Sequence, residues 1–163
     1  MQAGVQQYRF ELLETGSFFR EVAGEFAQEI RERGYQVDIT LQPHLAPLKA
    51  DREALTRALW NLLDNAVKYS PQNKTVWAKA ICENGRVAIS VSDKGLGIAP
   101  HERKKIFKKF ARAASAEAAG AKGTGLGLTK VEHIVAAHGG QMHVESEPGV
   151  GSTFTILLPG AKE

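Results

Sequence analysis

The sequence predicts an α+β fold, a two-layer α/β sandwich in which helices cover one face of a mixed, mainly antiparallel sheet. Three observations carry this prediction. Apolar residues recur at helical spacing in 17–34 and 51–69. They alternate with polar residues at strand spacing in 37–42 and 86–93. An Asn84-Gly85 pair joins two strand-like segments as a hairpin.

The elements follow in order. In 17–34, Phe18, Phe19, Val22, Ala23, Phe26 and Ile30 form the apolar stripe, with Ser17 as the expected N-cap and Gly34 as the stop. Val37, Ile39 and Leu41 alternate with Asp38, Thr40 and Gln42, a half-buried strand. The helix over 51–69 is capped by Asp51. At about 100° per residue, Leu55, Leu59, Leu62, Leu63 and Ala66 share one face, while Asn61, Asn65 and Lys68 share another with Tyr69 at its edge. Ser70-Pro71 ends it. Strands follow near 74–82 and 86–93. In the second, Val87, Ile89, Val91 and Asp93 point to one side, so a carboxylate ends an apolar row. A short basic helix is expected over 101–110. The Ala-rich stretch 111–122 lacks a large apolar anchor and is expected to be mobile. A helix over about 125–138 stops at Gly139-Gly140. Strands near 141–146 and 152–158 close the chain, the first with His143 and Glu145 outward.

Composition narrows the function classes. The 163 residues suit one domain, and 43% hydrophobic with 24% charged residues argues against global disorder. The net charge of +3 points to no particular partner. The one cysteine, Cys82, excludes an intramolecular disulfide, lacks metal-ligand partners in spacing and reads as a small hydrophobe. No apolar run is long enough to span a membrane and no secretory signal follows Met1. Eleven of the sixteen glycines fall between Gly95 and Gly160, which directs the search for function to backbone-lined loops in the second half.

Four constellations carry chemistry. In Asn61-x-x-x-Asn65-x-x-Lys68-Tyr69, amide oxygens suit Mg²⁺ and the lysine suits a phosphate, although polar residues on a wet helix face give the same pattern. In Asp93-x-Gly95-x-Gly97, a carboxylate can accept from an amino group such as the adenine amine. A tight turn after a strand also fits. Gly123-Thr124-Gly125-Leu126-Gly127-Leu128 enters a helix, where backbone N–H groups bind anions. It matches neither a Walker A loop nor the dinucleotide pattern, and a glycine hinge is the alternative. Gly149-x-Gly151-Ser152-Thr153-Phe154 could stand as a plain hairpin turn.

The order of these motifs resembles the ATP-binding catalytic domain of bacterial sensor histidine kinases, the Bergerat fold shared with gyrase, the MutL repair ATPase and the heat-shock chaperone ATPase. NLLDNAVKYS (61–70) resembles the N box, DKGLGI (93–98) the first glycine box and IFKKFAR (106–112) the F box. GTGLGL (123–128) resembles the second glycine box and GVGSTF (149–154) the last. The stretch 8–50 resembles the usual opening of that domain, so the resemblance covers nearly the whole chain as one domain. It implies ATP and Mg²⁺ as cofactors, with Asn65 on the metal, Asn61 supporting the phosphate and water shell, Lys68 on phosphate and Tyr69 flanking the nucleotide. Asp93 would accept the adenine amine, with Thr153 nearby through water, while Gly95 and Gly97 give the base room and Ile98 and Phe107 complete their boxes. Gly123, Thr124, Gly125, Leu126, Gly127 and Leu128 would wrap the triphosphate. Arg112 and Lys122 bracket the stretch corresponding to the ATP lid, about 111–124, and are further phosphate contacts.

Asn61 stands where the gyrase-like members carry a water-activating glutamate. An amide is no base, and general-base help is typically worth about 10²–10⁴ in rate, so efficient hydrolysis is not expected. A neutral imidazole is already a nucleophile, so transfer to a histidine needs no such base. The acceptor motif itself is absent. His44, His101, His133, His138 and His143 all lack its context and read as ordinary surface or helix positions. The resemblance therefore implies a catalytic domain whose partners are a separate dimerisation and phosphoacceptor domain and a response-regulator receiver domain. The expected domain is a cytoplasmic monomer, while its parent is free to be membrane-anchored elsewhere. Other readings are a gyrase- or MutL-type ATPase, an anti-sigma serine kinase, and a non-catalytic nucleotide sensor. The basic run Arg103, Lys104, Lys105, Lys108, Lys109 and Arg112 lacks interleaved stacking aromatics beyond Phe107 and Phe110, and no nucleic-acid partner is expected.

Overall fold

The computed structural model describes residues 7–97 and 127–161. The expected basic helix, the lid, and the site residues Ile98, Phe107, Arg112, Lys122, Gly123, Thr124, Gly125 and Leu126 lie outside them.

The chain opens with a short strand, β1 (Glu11–Leu13), and helix α1 (Thr15–Ile30). The cap of α1 is Glu14 rather than Ser17. The Glu14 carboxylate accepts the Ser17 N–H at 2.5 Å, so the helix starts three residues before the expected position. Gly34 does close the helix, after one 3₁₀ turn at Arg31–Arg33. Strands β2 (Gln36–Leu41) and β3 (Leu48–Ala50) lead to helix α2 (Arg52–Lys68). As expected, Asp51 caps α2, accepting the Ala54 N–H at 2.9 Å. Strands β4 (Thr75–Glu83) and β5 (Arg86–Asp93) meet at Asn84-Gly85, both at positive φ, the signature of a primed hairpin turn. Helix α3 (Gly127–Ala137) and the strands β6 (Gln141–Glu147) and β7 (Gly151–Pro159) complete the described chain.

Five strands form the main sheet in the order β2-β4-β5-β7-β6. The β2–β4 pair is parallel and the other three pairs are antiparallel. β1 and β3 form a separate two-stranded ribbon. Strand alternation puts Val76, Ala78, Ala80, Val87, Ile89, Val91, Phe154, Ile156 and Leu158 on the inner face, all buried. Against them pack Phe18, Phe19 and Phe26 of α1, Leu55, Leu59, Leu62 and Leu63 of α2, and Val131, Ile134 and Val135 of α3. Burying each such large side chain is worth roughly 1.5–3 kcal/mol, which is why the helices lie on one face only. Trp60 meets Phe26 edge-on at 4.9 Å between ring centroids. Trp77 instead lies on the outer face, with the Lys94 ammonium 5.1 Å above its ring.

Register places polar groups at one end of this core. The inner row that begins Val37–Val76 continues into Asp93, Ser152 and Ser146. These three polar residues are buried beside an otherwise apolar layer.

Candidate nucleotide site

The site lies where the C-terminal end of α2, the turn after β5 and the β6–β7 turn meet. Asp93 is its centre. Its side chain comes from the inner face of β5 and the residue is only 5% exposed. The Gly95 N–H donates to its Oδ1 at 2.9 Å, and the Ser152 N–H is a second donor. Burial raises its carboxyl to about 6, against the lowering effect of those two N–H groups. A carboxylate held there is an acceptor at the end of a dry layer, suited to an amino group.

Thr153 does not accompany it. Thr153 pairs with Ser92 on the outer face, where the two hydroxyls meet at 2.8 Å. Ser152 is the ladder partner of Asp93, and its hydroxyl meets that of Ser146 at 2.7 Å. The expectation for Thr153 is therefore corrected to Ser152, because successive residues of a strand face opposite sides. The sequence held this signal. Phe154, Ile156 and Leu158 fix the inner parity of β7, and position 152 shares it. β6 held it too: with His143 and Glu145 outward, Met142 and Val144 set its inner parity, and position 146 shares it.

The first glycine box is shaped by protein backbone. A Cβ on Gly95 would lie 2.0 Å from the Tyr69 carbonyl oxygen, and one on Gly97 would lie 1.9 Å from that of Glu147. Gly97 also has φ of 73°. The Leu96 N–H donates to Tyr69 O at 2.9 Å, and the Gly149 N–H donates to Leu96 O at 2.7 Å. Among the described residues, these glycines admit the carbonyls of α2 and the β6–β7 turn. That contact by itself requires glycine at both positions, and it ties Tyr69, the Asp93 turn and Gly149 into one unit.

Helix α2 supplies the remaining polar groups. Asn65 is buried at 6% exposure, while Asn61, Lys68 and Tyr69 are half-buried. The Lys68 ammonium lies 3.1 Å from the Asp64 carboxylate, one turn earlier. The end of α2 is held by Tyr35, whose hydroxyl donates to Ser70 O at 2.8 Å. Gly127 opens α3. Leu128 is buried in the core, so it anchors the helix, and only its backbone is available to a ligand. α3 packs against α2, and because the residue after α3, His138, meets Asp51 at the start of α2, the start of α3 lies toward the C-terminal end of α2. Among the described residues no group of three His, Cys, Asp or Glu side chains could hold a metal ion, so a cation there would depend on an amide together with a ligand's own oxygens.

A helix bearing two amides and a lysine, set against a buried carboxylate and a glycine turn, defines a nucleotide-binding class of α+β domain. Comparison with known proteins places it more narrowly. Full-length ShkA, solved in complex with AMPPNP, superposes with a TM-score of 0.84 at 30% identity, covering 99% of this chain and 33% of that one. The catalytic domain of the histidine kinase ThkA, solved nucleotide-free, gives 0.77 at 25% identity over 93% of this chain and 96% of that one. The sensor-like histidine kinase SenX3 of Mycobacterium tuberculosis is 41% identical over 113 residues, 69% of this chain and 28% of its own length. The family model for histidine kinase-, DNA gyrase B-, and HSP90-like ATPases matches residues 50–162, and the chain belongs to that family as a catalytic domain of the histidine kinase kind. It spans about a quarter of the length of the curated relatives it matches. No helix among the described residues is long and apolar enough to cross a membrane.

Proposed function

We propose that this chain binds Mg-ATP and presents the γ-phosphate to a histidine on a separate dimerisation domain, for relay to a response-regulator aspartate. The buried Asp93 carboxylate is the observation that carries the reading. It offers an acceptor-only group, oriented by the Gly95 N–H, beside the polar face of α2. The adenine amine donates to it, whereas guanine presents a carbonyl at the corresponding position. Asn65 and Asn61 hold magnesium and its water shell, and Lys68 meets the phosphates. Magnesium, when bound, neutralises charge on the phosphate oxygens.

The acceptor imidazole nitrogen attacks the γ-phosphorus. The bond to the bridging oxygen breaks, ADP leaves with that oxygen, and the imidazole loses its N–H proton to solvent. Positioning and electrostatics supply most of the acceleration in such transfers. Asn61 in place of a basic glutamate fits transfer to an imidazole better than activation of water. Residues 111–124 would serve as the lid over the phosphates, and the whole chain as one domain.

Calorimetric titration with ATP and GTP, each with and without Mg²⁺, tests the binding step. Saturable, adenine-selective binding is expected. Addition of an acceptor-helix domain and labelled ATP then tests transfer. Labelled histidine is expected, and ADP release without it would favour an ATPase.

A further inference from the structure

The motif NLLDNAVKYS contains one charged residue that the reading above leaves unused. Asp64 lies one turn before Lys68, and its Oδ2 is 3.1 Å from the Lys68 Nζ. At about 100° per residue it lies roughly 40° from Lys68 and 60° from Asn61 around α2, so it borders the polar arc. Neither partner is fully exposed, at 25% for the Lys68 side chain and 38% for that of Asp64. The cation assigned to phosphate is thus already neutralised by a carboxylate on the same surface. Elsewhere on α2, the pair Arg57–Glu53 has the same spacing, but it is longer at 3.6 Å and its glutamate is 89% exposed.

A fixed negative charge beside a polyphosphate site discriminates between ligands by charge. Metal-free ATP carries more negative charge than its magnesium complex, so Asp64 repels it more strongly. Metal-free ATP also has more to gain from a free lysine, which Asp64 withholds. We propose that Asp64 is a specificity residue that tethers Lys68 and sets the preference of the site for metal-bound over metal-free ATP. The proposal rests on the ATP-binding reading above.

The test is titration of the wild type, Asp64→Asn, Lys68→Ala and the double variant with ATP in EDTA and with ATP plus Mg²⁺, at matched ionic strength. Asp64→Asn is expected to tighten metal-free ATP about threefold to tenfold while changing Mg-ATP less than twofold. The effect should shrink to less than half in the Lys68→Ala background, and Asp64→Glu should keep the wild-type preference. If the wild type binds Mg-ATP but Asp64→Asn changes both forms equally, or neither, Asp64 is an ordinary surface pair and the proposal fails. An undiminished effect without Lys68 overturns the tether. Absence of Mg-ATP binding by the wild type would instead overturn the functional reading.

Discussion

Asp93 carries opposite demands for folding and binding. Its carboxyl is raised from 3.8 to about 6 by burial. The folded chain therefore holds a proton that the unfolded chain releases between those values. The associated stability is present below about pH 4 and is lost as pH rises through about 6. Binding runs the other way, because the amine needs the ionised acceptor. ATP affinity is expected to be flat above pH 7 and to weaken as pH falls through about 6, measured by titration in matched buffers. Asp93→Asn is expected to abolish the preference for ATP over GTP while stabilising the ligand-free protein at pH 7 by about 1–2 kcal/mol, since a shift of one unit is about 1.4 kcal/mol and the amide meets its two N–H donors less well. Unchanged ATP affinity together with unchanged stability would remove Asp93 from the centre of the site. The neighbouring pair offers a sharper comparison. Ser152→Ala is expected to weaken ATP several-fold, and Thr153→Ala less than twofold, because only Ser152 shares the face of Asp93. The reverse order would restore the original assignment of Thr153.

At the scale of elements, the starts of α2 and the end of α3 are joined through His138. The Asp51 N–H donates to its Nε2 at 3.0 Å, so the hydrogen resides on Nδ1, which donates to Ile134 O at 2.7 Å. Asp51 meanwhile accepts from Ala54 and, at 2.8 Å, from the Arg9 N–H ahead of β1. Those N–H groups hold its carboxyl below the ordinary value of 3.8, so this contribution is present above about pH 4 and fades as pH falls further. The rings of Tyr8 and Phe10 meet the imidazole edge-on at 5.7 and 5.0 Å. His138 is 8% exposed, which corrects its reading as an ordinary helix position. His138→Ala is expected to cost about 2 kcal/mol by denaturant unfolding, because it leaves the Asp51 N–H without its acceptor and removes the aromatic contacts. A cost below about 0.5 kcal/mol would mean the node is dispensable.

For the whole molecule, the helix end and two turns of the site come from distant parts of one core, so a ligand bridging them stabilises the entire fold. At a hundredfold excess over its Kd, Mg-ATP is expected to add about 2.7 kcal/mol, or about 5–10 °C in Tm for a domain of this size. Thermal scans should show that shift with ATP and less than a quarter of it with GTP. Equal shifts would deny the site its adenine selectivity.

Much of this was legible locally. The Asp51 cap, the apolar face of α2, the Asn84-Gly85 turn and the inward parity of Val87 through Asp93 depend on residues close in sequence, where periodicity and capping chemistry operate. The glycine motifs and their order likewise point to one family from the sequence itself. Tertiary structure decided the rest. The three-residue strands β1 and β3 are too short to show a period and exist because they pair with each other. The parallel pairing of β2 with β4 joins segments separated by α2. His138 is buried only because Tyr8, Phe10 and Asp51 converge on it from remote positions, and Gly95 and Gly97 are glycines because the Tyr69 and Glu147 carbonyls come to rest against them. Local sequence specifies which face a residue offers, whereas packing across the chain decides what that face meets.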